Sequence, residues 1–320
     1  MSPRLGALEV LSSGPLLSVQ DLGWSGHAAL GLGAQGVLDQ AATRLANVLV
    51  GNDDSAAVLE ITWGGAALRF ADVRRIAVGG ADLRAELDGR PLRPFAPIDV
   101  PVGGVLRFGT PRSGARASLA ISGGIAVPPV LGSRSTELRS GFGGLAGRAL
   151  HRGDLLPLGA DPAPAPLRRQ YSLACAWLYP LRPLRVLPGA DFHAIKAELR
   201  DTLRDHEYAI DANSDRMGLR LRTSFAYDLL PERVSAPLMP GTIQLPPSGA
   251  PILLTRACQT TGGYPNIAHV VSADLDRLAQ LKPGDRVRFE AVDLTAARAL
   301  AERREAAIAT LIAAIRSRDG

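Results

Sequence analysis

Pro157-Leu158-Gly159-Ala160-Asp161-Pro162-Ala163-Pro164-Ala165-Pro166 divides the chain in two. Each proline lacks an N–H and pushes the residue before it out of the helical region, so this stretch holds no helix. Pro180 and Pro183 prolong the interruption, and Tyr171 to Tyr179 is long and apolar enough for one short strand between them. The boundary is therefore expected near residues 170 to 183. It leaves a first domain over 1–170, a second over 184–293 and a C-terminal segment over 294–320. With 46% hydrophobic and 21% charged residues among 320, the chain is not disordered and has enough apolar side chains for two cores.

Upstream of the break, short apolar runs at Leu8–Leu11, Val58–Trp63, Arg75–Val78, Val105–Phe108 and Ala117–Ile121 are bounded by glycines and read as strands. One helix interrupts them. Asp39 is a good N-cap, Ala42, Leu45, Ala46 and Leu49 recur at helical spacing, and Gly51-Asn52 ends the element. Downstream, strands are expected at Leu184–Leu187, Gly218–Leu221, Ile252–Thr255, Ile267–Val271 and Val287–Val292. A helix with Phe192, Ile195, Leu199 and Leu203 on one face, and a short helix at Asp274–Leu281, lie among them. The tail from Thr295 is a helix with Ile308, Leu311, Ile312 and Ile315 on one stripe. The class is mainly β with short helices (α+β). The run at Leu8 echoes that at Leu184, and the run at Val102 that at Pro283, a faint sign of duplication.

Composition excludes several functions. The net charge is +5, yet all basic residues except Lys196 and Lys282 are arginines, and no basic run is interleaved with aromatics, so nucleic acid is not an expected partner. Cys175 and Cys258 form neither a disulfide framework nor a thiolate cluster, and His27, His151, His193, His206 and His269 are dispersed; no metal is expected. Met1-Ser2-Pro3-Arg4 precedes no apolar signal region, and no apolar run reaches the roughly 18 residues of a membrane span, so a cytoplasmic location is expected.

Gly31-Leu32-Gly33-Ala34-Gln35-Gly36 matches G-x-G-x-x-G, but the preceding His27-Ala28-Ala29-Leu30 is a poor strand, so a tight turn is favoured over a dinucleotide site. Cys258 reads as core rather than as a nucleophile. Three segments carry more chemistry. Asn213-Ser214-Asp215-Arg216-Met217-Gly218-Leu219-Arg220 places a carboxylate and two guanidinium groups around a glycine, either an anion site or a structural Asp–Arg pair. Gly241-Thr242-Ile243-Gln244-Leu245-Pro246-Pro247 presents an amide where a strand is halted. Gln259-Thr260-Thr261-Gly262-Gly263-Tyr264-Pro265 combines two hydroxyls, a Gly-Gly turn and a phenol. Together they indicate a polar small-molecule pocket in the second domain.

These segments belong to an ordered set with Gln20-Asp21-Leu22-Gly23, Gly36-Val37-Leu38-Asp39, Arg44-Leu45-Ala46-Asn47, Gly132-Ser133-Arg134-Ser135-Thr136 and Leu281-Lys282-Pro283-Gly284-Asp285. The set resembles the carboxyltransferase subdomain A and B family. That family includes allophanate hydrolase subunit 2-like proteins, the C subunit of 5-oxoprolinase, urea amidolyase-related proteins and the bacterial antagonist of a sporulation kinase inhibitor. The resemblance covers roughly residues 5 to 293. It implies that the second domain is a cyclophilin-like β-barrel, and that a companion subunit with subdomains C and D completes a composite site.

The resemblance further implies an enzyme subunit of the 5-oxoprolinase type, opening 5-oxoproline to glutamate with ATP as co-substrate of the complex and inactive alone. A lactam-utilisation subunit is a further expected partner, and a small amide the substrate. Carboxyl transfer to urea or a related amide is a second implied activity. Neither lysine has methionine neighbours, so biotin would come from a partner. A regulator that sequesters a kinase inhibitor is a third. The implied catalytic residues are Asp215, Arg216, Thr260 and Thr261, and the implied substrate contacts are Gln244, Arg220, Tyr264, Asp39 and Gln20. Trp24, Val37-Leu38 and Ala257-Cys258 depart from the family's pattern of arginine, Ala-Met and Asp-Arg.

Overall fold

The computed structural model describes residues 6–160, 172–223 and 234–319; the stretch from Asp161 to Pro166 and Tyr171 lie outside them. The chain forms two compact units. The first comprises Met1–Trp24, Asp39–Leu178 and Ile308–Gly320, and the second Ser25–Leu38 and Tyr179–Ala307.

The first unit is built from two large antiparallel sheets, with a small third pair of strands, Thr136–Glu137 and Phe142–Gly143. One has six strands in the order Leu155–Leu158, Gly6–Ser13, Ala66–Phe70, Val105–Arg107, Glu86–Leu87 and Arg90–Pro91. The other has five, in the order Leu16–Gln20, Val58–Thr62, Ser113–Ile121, Arg74–Asp82 and Ile98–Val100. Alternation sorts their side chains. Leu17, Val19, Leu59, Ile61, Ile76, Val78, Leu119 and Ile121 of the second sheet join Leu8, Val10, Leu68 and Leu106 of the first in one core. The intervening positions are small or polar. Ala77 faces Ala120 and Gly79 faces Ser118 across the ladder, and helix α1 (Gln40–Leu49) packs over them. Contact is close enough that a Cβ on Gly79 would lie 2.5 Å from the Ala42 carbonyl oxygen. Thr43 and Ser118 hydroxyls meet across the same face at 2.7 Å.

The second unit is a nearly closed barrel of eight strands in the order Arg286–Val287, Tyr208–Ile210, Gly218–Arg222, Ile252–Leu254, Thr242–Gln244, Asn266–Val270, Leu184–Pro188 and Phe289–Ala291. The two edges of this order are halves of one extended segment broken at Arg288. Its first half pairs antiparallel with Tyr208–Ile210 and its second parallel with Leu184–Pro188. The Leu184 N–H donates to the Arg288 carbonyl at the seam (2.8 Å). Leu184, Val186, Leu219, Leu221, Ile243, Leu253, Ile267 and Phe289 fill the interior. Helix α2 (Ala197–Asp205) adds Leu199 and Leu203 to that core, and α3 (Leu275–Leu278) adds Leu278. Helix α4 (Leu294–Asp319) ends the chain, with Ile308, Ile312 and Ile315 buried and Leu311 half-buried. No helix among the described residues is long and apolar enough to cross a membrane.

Three expectations change. Residues 172–179 hold no strand; they form a short 3-10 turn at Ala176–Leu178 with Trp177 exposed, the Leu178 N–H donating to the Cys175 carbonyl (3.0 Å). The helix expected from Phe192 begins only at Ala197, residues 190–194 being turns. The echo between the halves is not matched by pairing. Leu184–Pro188 pairs directly with Phe289–Ala291, whereas Ala66–Phe70 lies between Gly6–Ser13 and Val105–Arg107.

Candidate functional site

Two of the motif segments in the first unit meet. The Asp21 carboxylate accepts from the hydroxyls of Ser133 and Ser135 (both 2.6 Å) and from the backbone N–H groups of Arg134 (2.6 Å) and Gly23 (2.8 Å). The Ser135 hydroxyl also accepts from the Asp21 N–H at 2.9 Å. Gln20 is fully buried and donates to the Ser18 hydroxyl and the Thr136 carbonyl, both at 3.1 Å. Asp39 accepts from the Ala42 N–H at 3.0 Å and caps α1, as its place before the apolar repeat requires. Each of these three side chains makes a hydrogen bond inside its own unit, and two of them, Gln20 and Asp39, are expected substrate contacts; the buried Gln20 Oε1 has no hydrogen-bond partner among the described residues.

The second unit arranges its polar residues differently. Cross-strand register places Arg220 opposite Ile252, Ile252 opposite Gln244, and Gln244 opposite Asn266. Directly opposed residues share a face, and the alternate positions Leu219, Leu253 and Ile243 line the barrel interior. Arg220, Gln244 and Asn266 therefore stand on the outer face, with Arg220 and Gln244 two strand spacings apart, roughly 10 Å. Gln244 and Asn266 are nonetheless buried. The pair of short strands Ala236–Pro237 and Thr261–Gly262 crosses there, and a Cβ on Gly262 would lie 3.1 Å from the Gln244 amide nitrogen. That amide donates to the Asn266 side-chain oxygen (3.3 Å) and the Tyr264 carbonyl (3.4 Å), and the Asn266 N–H donates to Asp191 (2.8 Å). Thr260 is half-buried, and Thr261 and Tyr264 are exposed. Their hydroxyls, like the Arg220 guanidinium, meet no partner among the described residues.

Asp215 and Arg216 occupy the turn that enters Gly218–Arg222. The Asp215 carboxylate accepts from the backbone N–H groups of Met217 (2.8 Å) and Gly218 (2.9 Å) and is exposed. It makes no ion pair with Arg216, so the structural Asp–Arg pair is not what this turn contains. Arg216 instead donates to the Gly36 carbonyl, while its own carbonyl accepts from the Thr255 hydroxyl. Arg216 thus braces the glycine-rich segment. That segment runs against Arg256–Cys258: Gln35 donates its N–H to the Arg256 carbonyl at 3.1 Å, and a Cβ on Gly33 would lie 2.7 Å from the Cys258 oxygen. The end of this turn, at Gln35 and Gly36, is buried against that neighbouring segment.

Burial pushes the Cys258 thiol up to about 11, which leaves it un-ionised and a poor nucleophile near neutral pH. Burial lowers His269, whose Nδ1 lies 3.1 Å from the Thr242 hydroxyl. Among the described residues no group of three His, Cys, Asp or Glu side chains could hold a metal ion. Neither of two clefts in this unit, of about 280 and 400 Å³, is lined by Arg220, Gln244, Thr261 or Tyr264. On the outer face Arg220, Thr261 and Tyr264 are exposed, above the buried Gln244 and Asn266.

Sequence comparison places the chain. The model for the carboxyltransferase domain, subdomain A and B, matches residues 30–291, and the chain belongs to this family. The 5-oxoprolinase C subunit of Escherichia coli is 37% identical over 283 residues, covering 88% of this chain and 90% of that protein. Its counterpart from Haemophilus influenzae is 35% identical over 300 residues, covering 93% and 95%. The crystal structure of the K. lactis urea amidolyase superposes on 95% of this chain with a TM-score of 0.84 and 30% identity, the chain spanning 20% of that protein. Sequence reading missed Asn266 and Asp191, whose part depends on register and on a loop that covers the sheet.

Proposed function

We propose that this chain is a subunit of an ATP-dependent 5-oxoprolinase-type amidohydrolase that converts 5-oxoproline to glutamate and is inactive alone. The observation that carries the reading is near full-length similarity, 35–37% identity, to two proteins named as the C subunit of 5-oxoprolinase. The exposed side chains of Arg220, Thr261 and Tyr264 agree with a site completed by a companion subunit with subdomains C and D, a lactam-utilisation subunit being a further partner. Phosphorylation of the lactam oxygen makes the ring carbon electrophilic, and water then attacks it. In this reading Thr261 and Tyr264 orient the amide through their open hydroxyls, and Arg220 offsets developing negative charge. Gln244 and Thr260 hold the covering loop, while Asp215 and Arg216 set the turn beside it.

Carboxyl transfer to urea or a related amide is the second reading, favoured by the superposition on urea amidolyase; biotin would then arrive on a partner. Co-expression with the two companion subunits, followed by a glutamate-release assay, tests the first reading. Glutamate should form only with ATP and all subunits present. Turnover by the isolated chain, or none by the full assembly, contradicts it.

A further inference from the structure

The seam that closes the barrel carries a second set of polar groups, away from the face just described. A cleft of about 400 Å³ lies over it, lined by Arg182, Arg277, Arg286 and Arg288 together with Glu207, Tyr179 and Pro180. Four guanidinium groups thus face one carboxylate. Glu207 is shared, accepting from Arg286 (3.0 Å) and Arg288 (3.3 Å). Asp274, behind Arg277, is already held by Arg185 through its backbone N–H and two guanidinium nitrogens, and stands 3.4 Å from Arg277. The Arg182 backbone N–H donates to the Pro180 carbonyl (3.0 Å), and its guanidinium meets no acceptor among the described residues.

Arg277 is fixed rather than free to swing away, since it donates to the carbonyls of Pro183 (3.0 Å) and Arg182. Burial lowers its pKa; Asp274 opposes that, and the charges of Arg182 and Arg185 add to it. Like charges held this close, on backbone fixed by the barrel seam, are stabilised by a bound anion. Tyr179, Pro180 and Leu281 supply an apolar wall beside them.

We infer that this cleft binds a small organic anion bearing several oxyanion oxygens, such as a phosphate ester or a polycarboxylate, seated by Arg182, Arg286 and Arg277 at the barrel seam. The bidentate fork of arginine suits either group, and the surplus of cations over carboxylates selects multiply charged ligands over neutral ones.

Titration calorimetry at low ionic strength, with pyrophosphate and separately with citrate, tests this on the full chain. Saturable one-to-one binding of pyrophosphate alone identifies a phosphate ligand, of citrate alone a polycarboxylate, and of both the shared chemistry. Arg182→Gln should weaken binding about tenfold, the scale of one charge-assisted hydrogen bond, and Arg286→Gln less, because Arg286 shares Glu207. Arg182, Arg286 and the control Arg107 are exposed, so the variants should keep the wild-type melting temperature. Arg107→Gln, in the first unit, should leave affinity unchanged. Absence of saturable binding to either probe, or equal weakening by Arg107→Gln, overturns the inference. Binding is read without turnover, so its failure and that of the proposed hydrolase activity are separate results.

Discussion

In the first unit Gln20, Asp21 and Asp39 are no more than 9% exposed, and each is hydrogen-bonded to hydroxyl or backbone groups of the same unit. In the second, Arg220, Thr261 and Tyr264 stand in solvent with their polar atoms open, while Gln244 and Asn266 lie just beneath. Both sets come from motifs of similar composition, hydroxyls and charges beside glycine. A motif's residue types therefore do not separate architecture from recognition; the partner of each polar atom does. In the first unit the Asp21 carboxylate and the Gln20 amide nitrogen hold strands and loops together, while the buried Gln20 Oε1 has no hydrogen-bond partner among the described residues; in the second the Thr261 and Tyr264 hydroxyls remain available.

The strongest way to break this contrast is at Asp21. Asp21→Ala removes the acceptor for two buried hydroxyls and two backbone N–H groups, and should cost about 3 kcal/mol in denaturant unfolding. If stability were unchanged and only activity fell, the first unit's motif would have to be counted with the site.

Asp39 sharpens the contrast further. Asp39→Ala should cost about 1 kcal/mol through loss of the α1 cap, whereas Asp39→Asn caps equally well and should be nearly neutral. A drop in turnover in Asp39→Asn at unchanged stability would return Asp39 to the substrate contacts.

Within the second unit, His269 supplies a smaller, pH-dependent effect. Its folded-state pKa is lowered by burial, so the unfolded chain takes up the proton first as pH falls. Stability should be complete above the ordinary histidine pKa and decline below it. The melting temperature should drop between pH 7 and pH 5, and His269→Gln should flatten that drop. The smallest effect concerns the thiols. Burial holds Cys175 and Cys258 at about 11, so a thiol reagent at pH 8 should find almost no reactive cysteine in the native protein and two after denaturation.

Much of the β framework was legible because its strands are short apolar runs between turn residues, and α1 was legible from its cap and repeat. Val287–Val292 reads as one run, yet it is split at Arg288 and closes the barrel by pairing with two strands far apart in sequence; local periodicity carries no trace of that. The Asp21 network joins residues 112 positions apart, so its two halves could be recognised separately but not connected. Gln244 could be singled out as an amide beside prolines, whereas its burial on an outward face depends on a loop lying across the sheet. Asp215 and Arg216 are neighbours in sequence, and proximity suggested a pair. The turn instead sends one to backbone N–H groups and the other to the Gly36 carbonyl.

The contrast between the two units comes down to specific activity per folded molecule in the reconstituted assembly, measured side by side for Thr261→Val and Asp21→Ala. The account predicts that Thr261→Val keeps the wild-type melting temperature and loses turnover, while the folded fraction of Asp21→Ala at low temperature turns over normally. Full activity in Thr261→Val, or an inactive but fully folded Asp21→Ala, would contradict it.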